Sequence, residues 1–223
     1  MISKFLVFIS STSDLRDERQ ALKQLLGKFG IYEPYLYEDE PARRDSPEER
    51  CREMVQRSSA FVGLLGGRYG TPYPPPGDSG SIVEWEFDTA HSREDLGLIA
   101  VMIKRIPPAQ VEPPQLKFIE RVRDFRGVWC KEYSTPDDLG EEVLKSLVRW
   151  TGEVAQASIE EEQGFKRRLR RVLRPVAVAS IVALLLLFAL HYAGVFAVPA
   201  GVLVGLCALE CVLVLAVVLV LAY

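Results

Sequence analysis

From Pro175 onward the sequence is almost entirely apolar, and this feature constrains the fold of the chain more than any other. Glu210 is the one charged side chain in that stretch. Residues 176–198 and 202–222 each have about the 20 residues that a helix needs to cross a bilayer. Since three residues separate them, the sequence predicts an antiparallel two-helix transmembrane hairpin. The alternative, a helical pair buried in a soluble core, is disfavoured because soluble helices keep a polar face.

Six basic residues stand immediately before the first predicted span. Positive flanking residues stay on the cytoplasmic side, so we expect a two-span membrane protein whose N-terminal domain and C-terminus are cytoplasmic. A nucleic-acid site is the alternative for such a run, but we favour membrane lipid headgroups as its partner. Residues 1–165 carry 21 Lys and Arg against 29 Asp and Glu, a net charge of −8, which argues against a nucleic-acid partner. The basic residues are Lys166, Arg167, Arg168, Arg170, Arg171 and Arg174.

Two ionisable residues lie within the predicted hairpin at similar depth. His191 precedes the Pro199 turn by about as many residues as Glu210 follows it. Ionisable groups within a span are costly, so we expect a hydrogen bond between the two across the hairpin. Contact with another subunit, or the lining of a pore, is the alternative for Glu210. We expect the chain to form a homo-oligomer.

Before the apolar stretch, the sequence alternates between short buried strands and amphipathic helices. Such alternation predicts a five-stranded parallel sheet flanked by helices, with a ligand crevice at the carboxyl ends of the strands. The predicted strands are 4–11, 31–37, 60–65, 98–104 and 127–132. The predicted helices begin near Ser13, Ser46, Ser81, Leu116 and Thr135. We therefore divide the chain into an α/β domain at 1–150, a charged helical linker at 151–175 and the transmembrane hairpin at 176–223.

Three segments are expected to meet at the crevice. Ser10, Ser11 and Thr12 follow the first strand and offer hydroxyls to a phosphate or ribose, although plain helix capping is the simpler explanation of these residues taken alone. After the third strand, Arg68 can bind an anion and Tyr69 can stack on a base; a simple tight turn is the alternative. Ser81 begins the next helix and completes the candidate ligand site.

Two acids on that helix, Glu84 and Glu86, are the candidate catalytic groups. They stand two residues apart on the helix and therefore cannot both face one pocket. Glu86 lies beside the apolar stripe of Val83, Phe87 and Ala90, which makes it the better candidate for a semi-buried carboxylate. Such a group beside a sugar site can stabilise an oxocarbenium ion. The alternative is a solvated helix acid.

No nucleotide-binding glycine motif or zinc-ligand spacing is present, so we predict neither a cofactor nor a metal.

Three ordered motifs lie within about residues 3–105. They are 7–12 with Asp14, Leu15, Glu18 and Arg19, then 64–70, then 81–86 with Ala90. Together they resemble one TIR-like family of domains of unknown function. In that family the domain often precedes NACHT-type ATPase or TPR modules. The family is similar in turn to TIR domains and nucleoside 2-deoxyribosyltransferases, which are flavodoxin-like. The transferases' Trp-Glu with a downstream Ala is matched by Trp85-Glu86 and Ala90, and this resemblance implies a catalytic role for Glu86.

Competing functions remain open from the sequence. The resemblance implies an enzyme that cleaves the N-glycosidic bond of NAD or a related nucleotide in a defence or stress response, switched on by self-association. A second interpretation is a non-catalytic module that senses a nucleotide or protein and controls assembly of a membrane-perturbing hairpin. A third is a scaffold that recruits proteins to the membrane.

Overall fold

The computed structural model describes residues 4–41, 46–72 and 80–194, together with positions 202, 205 and 208. The chain divides into two compact units, Met1–Gly152 and Glu153–Tyr223. Every strand that the structure describes belongs to the first unit, between Phe5 and Tyr133. The candidate site therefore lies in that unit.

Five strands and five α-helices alternate along the described chain, as the sequence predicts. Helix α4 begins at Pro113, earlier than the predicted Leu116, because proline fits the first helical turn, where no backbone N–H is needed. The strands are β1 (Phe5–Ser11), β2 (Tyr32–Tyr35), β3 (Ala60–Leu65), β4 (Leu98–Lys104) and β5 (Val128–Tyr133). The helices are α1 (Arg16–Gly27), α2 (Pro47–Arg57), α3 (Ile82–His91), α4 (Pro113–Asp124) and α5 (Pro136–Tyr192).

The sheet has the strand order β2-β1-β3-β4-β5, and every neighbouring pair is parallel. This is the flavodoxin-like order, in which the chain reverses its direction of winding between β1 and β3. The register places Val7 opposite Ala60 and Ser11 opposite Leu64. The connections that follow β1 and β3 leave on opposite sides of the sheet, so a crevice forms at the carboxyl ends of these two strands.

Alternate residues of the central strands point to opposite faces and build two apolar layers. Val7 and Ile9 of β1 pack with α1 and the first turns of α5, through residues such as Leu22 and Leu147. Phe8 of β1 lies in the other layer, with side chains of α2, α3 and α4. The β1 side chains that continue the Phe8 face therefore point towards α2 and α3, which places Ser10 on that side.

Serine and threonine begin three of the helices. Ser46, where a helix start is predicted, forms a reciprocal capping box with Glu49, and Ser46 Oγ accepts from the Glu49 amide at 3.1 Å. Ser81 Oγ accepts from the Glu84 amide at 3.2 Å, and Thr135 Oγ1 accepts from the Asp138 amide at 3.2 Å. These caps satisfy amides that a helix leaves unpaired at its start.

Helix α5 is 57 residues long and contains Pro175. Among the residues that the structure describes, no helix combines the length and the apolar character that crossing a membrane demands. The second predicted span lies outside the described residues, apart from positions 202, 205 and 208. The predicted hydrogen bond between His191 and Glu210 also lies outside them, because neither side chain is described.

Candidate functional site

A cavity of about 280 Å³ opens at the carboxyl end of β1, beside the start of α3. It occupies the point where the winding of the sheet reverses, which is where proteins of this architecture bind ligands. The polar side chains that line it and matter for its chemistry are Ser10, Thr12, Arg19, Glu38, Cys51 and Glu86.

Ser10 and Glu86 meet at the base of this cavity. Ser10 Oγ donates a hydrogen bond to Glu86 Oε2 at 2.5 Å. The Ser10 side chain is 2% exposed and Glu86 is 6% exposed, so the contact is shielded from bulk water. Glu86 is brought there by α3, whose buried residues Val83, Phe87 and Ala90 fall on the same side of the helix.

The environment of Glu86 shifts its ionisation towards neutral pH. Burial raises the pKa of the Glu86 carboxyl to about 6, because a low-dielectric setting disfavours the charged form. Hydrogen bonds from Ser10 and Cys51 and the positive charge of Arg19 oppose that rise. A buried carboxyl with a raised pKa in a cavity is typical of a functional group.

Thr12 supplies the cavity with a hydroxyl that has no partner among the described residues. The residue is 5% exposed, and its Oγ1 atom makes no hydrogen bond with any described residue. Gly70, with a φ of +91°, packs against the methyl group of Thr12. A Cβ atom added at Gly70 would come within 2.8 Å of Thr12 Cγ2. A buried hydroxyl without a partner is costly in free energy, so Thr12 is a candidate for binding a polar ligand group.

Arg19 is held against the turn that follows β1. Its Nη1 atom donates to Ser11 Oγ at 2.6 Å and to the Ser11 carbonyl at 3.2 Å. Its Nε and Nη2 atoms contact the two carboxylate oxygens of Glu38 at 3.1 and 2.9 Å. The guanidinium therefore fixes the position of the turn that carries Thr12 and also lines the cavity.

Glu84 belongs to a different group of side chains. The Tyr69 hydroxyl donates to Glu84 Oε2, and Arg121 Nη2 lies 2.7 Å from Glu84 Oε1. Burial, together with the hydrogen bond to Glu84, raises the pKa of the Tyr69 hydroxyl to about 12. These contacts join α3 to α4 and to the segment after β3, and Glu84 is not among the residues that line the cavity.

The remaining predicted ligand residues also lie apart from the cavity lining. Arg68 is exposed, and Ser81 is fully buried in its capping role. The glycines before Arg68 are contacted by protein: Gln115 Nε2 donates to the Gly66 carbonyl at 3.2 Å, and the Glu112 amide donates to the Gly67 carbonyl at 2.9 Å. Of the predicted residues, the structure thus brings together Ser10, Ser11, Thr12 and Glu86.

Sequence reasoning did not assign Arg19, Glu38 or Cys51 to the site, although Arg19 belongs to the first of the three matched motifs. Arg19 had a usable signal, since it falls on the helical face of Leu15, Leu22 and Leu26, and a charge on an apolar face is unusual. Glu38 and Cys51 reach the cavity from separate elements and have no such local signal. Within the described part of the chain, no group of three or more His, Cys, Asp or Glu residues could hold a metal ion.

The strand order and the cavity define a flavodoxin-like α/β domain with a ligand-sized site at its winding reversal. The chain belongs to the family described as a domain of unknown function, DUF4062, whose sequence profile matches residues 6–148. That range covers β1 from its second residue, the other four strands and the first turns of α5. A comparison with the curated proteins finds no match.

Proposed function

We propose that the cavity binds a nucleotide and that Glu86 is the catalytic carboxylate for cleavage of its N-glycosidic bond, with NAD or a related nucleotide as substrate. The observation that carries the proposal is the shielded contact between Ser10 and Glu86 inside a ligand-sized cavity. The TIR-like resemblance supports the same assignment, since its matched Trp-Glu motif falls on Trp85 and Glu86, which both line the cavity.

The chemistry needs one anionic group close to the sugar. The bond between the anomeric carbon and the ring nitrogen breaks, and its electron pair leaves with the base. The sugar becomes an oxocarbenium ion, which an ionised Glu86 stabilises or traps. Water then adds to the anomeric carbon and displaces Glu86 if the carboxylate has trapped the sugar. The proton that water loses passes to the departed base or to solvent. Because the pKa of Glu86 is about 6, the carboxylate is the main form at pH 7, while its burial strengthens its electrostatic effect.

We further propose that residues 176–198 and 202–222 form a transmembrane hairpin that anchors the domain to a membrane, with the domain and the C-terminus in the cytoplasm. The apolar sequence and the basic run before it support this arrangement. Self-association of anchored copies would switch on a defence or stress response through consumption of the nucleotide.

Turnover by the full chain, concentrated in lipid vesicles, tests the catalytic proposal. NAD and a panel of nucleosides and nucleotides are supplied, and release of the free base is measured. Glu86→Gln is expected to lower the rate about 100-fold or more, as loss of an electrostatic catalytic group does. Glu84→Gln is the matched comparison, and its rate is expected to stay near that of the parent chain because Glu84 pairs with Arg121 outside the cavity. Absence of turnover, or equal rates in Glu86→Gln, contradicts the proposal.

The charged Glu210 within an apolar segment favours a second function, a non-catalytic sensor that controls assembly of a membrane-perturbing hairpin. Leakage of a dye from vesicles carrying the full chain separates the two. Leakage that persists in Glu86→Gln and is lost in Glu210→Leu supports the sensor, whereas release of the free base without leakage supports the enzyme.

A further inference from the structure

An acidic turn, residues 37–40, forms one wall of the cavity through Tyr37 and Glu38. Each of its three acids is paired with a base on a neighbouring helix. Asp39 pairs with Lys23 at 2.7 Å and Glu40 pairs with Arg50 at 2.6 Å. Neither of these two pairs is among the cavity lining, whereas both members of the Glu38 and Arg19 pair are. The Glu38 pair is therefore the one that a ligand in the cavity would meet.

The two partners of that pair are held unequally. The Arg19 side chain is 11% exposed and is anchored by the Ser11 hydroxyl and carbonyl, whereas Glu38 is 32% exposed. Glu38 also accepts a hydrogen bond from Gln20 at 2.9 Å at the protein surface. Glu38 can accordingly move into solvent while Arg19 stays in place.

The geometry at Arg19 suits an anion with two oxygens. Glu38 contacts Nε and Nη2 with one oxygen each, and this two-point arrangement is also the one in which guanidinium groups bind phosphate. Thr12 Oγ1, buried and without a partner among the described residues, lines the same cavity. The cavity thus offers a fixed cation, an unused hydroxyl and a carboxylate that already occupies the position of an anion.

We infer that Arg19 is the anion subsite of this cavity, that the ligand carries a phosphate group, and that Glu38 is an internal competitor which the phosphate displaces. This inference rests on the proposed nucleotide-binding function and assigns the phosphate of that nucleotide to Arg19. At about 280 Å³ the cavity is near the lower limit of small-molecule sites, which suits one nucleotide unit of the ligand. Displacement of Glu38 would also free the acidic turn from Arg19.

Binding titrations with matched phosphorylated and unphosphorylated ligands test the inference. The probes are ribose 5-phosphate against ribose, and AMP against adenosine, titrated into the full chain by calorimetry. Glu38→Gln is expected to tighten the phosphorylated probe about two- to fivefold, the range for losing one partly exposed ion pair, and to leave ribose unchanged. Arg19→Gln is expected to lower affinity for the phosphorylated probe about tenfold or more, and Arg19→Lys to give an intermediate loss.

Asp39→Asn is the matched control, because it removes a neighbouring acid of the same turn whose partner, Lys23, lies outside the cavity lining. Its phosphate preference is expected to equal that of the parent chain. The inference is overturned if Glu38→Gln binds the phosphorylated probe no more tightly than its unphosphorylated match. It is also overturned if Asp39→Asn changes the affinity for the phosphorylated probe as much as Glu38→Gln does. Turnover depends on Glu86 and phosphate preference on Arg19 and Glu38, so the catalytic proposal and this inference can fail separately.

Discussion

Ser10 Oγ lies 2.5 Å from Glu86 Oε2, although 76 residues separate the two in the sequence. The contact joins the end of β1 to α3 and fixes a carboxyl group at the base of the cavity. Because the hydroxyl donates to the carboxylate, it stabilises the ionised form of Glu86 against the effect of burial.

Removal of that hydroxyl should move the titration of Glu86. Ser10→Ala is expected to raise the pKa of Glu86 above about 6, by about one unit for a lost hydrogen bond to a charged group. The measurement is carbon-13 NMR of labelled glutamate carboxyls across pH, with Glu86→Gln used to assign the signal. Ser13→Ala, a change at an exposed serine of the same turn, is the control. A lower or unchanged pKa in Ser10→Ala would contradict the assigned role.

Stability should depend on pH through the same group. The folded state holds the Glu86 proton more tightly than the unfolded chain, since its pKa is raised from 4.5 to about 6. The contribution of Glu86 to stability is therefore fully present below pH 4.5 and is lost as the pH rises through 6. Glu86→Gln does not ionise, so its free energy of unfolding relative to the parent chain should rise by about 2 kcal/mol across that window. Urea denaturation of both chains, followed by tryptophan fluorescence at pH 4 to 7, measures this change. A difference in the free energy of unfolding that does not vary with pH would contradict the prediction.

Thr12→Val should separate the effect of the Thr12 hydroxyl on ligand binding from its effect on stability. Valine has the same shape and lacks the hydroxyl that has no partner within the described chain. We expect the variant to be more stable by up to about 1 kcal/mol and to bind ribose about three- to tenfold more weakly. Thr12→Ser, which keeps the hydroxyl, should retain affinity. Thermal melting and calorimetry measure the two effects, and unchanged affinity in Thr12→Val would show that the hydroxyl takes no part in binding.

Packing at the amino end of β4 should be sensitive to a single methyl group. A Cβ atom added at Gly97 would overlap the ring of Trp150, which is itself packed in the core. Gly97→Ala is therefore expected to destabilise the protein by about 1–3 kcal/mol. Gly152→Ala is the control, because no atom of the described residues lies within 4 Å of the added Cβ. Alanine also favours the helix, so this variant should be more stable by about 0.5–1 kcal/mol. Equal melting temperatures for the two variants would contradict the packing described.

The proposed anchor has its own test. Cells expressing the full chain are fractionated, and the membranes are washed with alkaline carbonate. A chain with two spans should stay in the membrane pellet, because burial of about 20 apolar residues per span is not reversed by high pH. Recovery of the chain in the wash would refute the hairpin, and would leave the proposals about the cavity unaffected.

Much of the fold follows from local sequence patterns. Apolar runs such as Phe5–Ile9 predict buried strands, and Ser46 with Glu49 predicts the start of α2, where the capping box is observed. Strands that alternate with helices predict the parallel sheet that is observed. The position of Glu86 on the buried side of α3 was also predictable, because the spacing of the apolar residues around it defines that side.

The sequence by itself determined the alternation of strands and helices, the polar end of β1 and the burial of Glu86, because each depends on spacing within a single element. Only the tertiary structure decided that Glu84 pairs with Arg121 on α4, away from the cavity. The tertiary structure also decided that Arg19 meets Glu38 at the cavity wall. These contacts join elements far apart in the chain, and they depend on how the loops and helices pack once the sheet has formed.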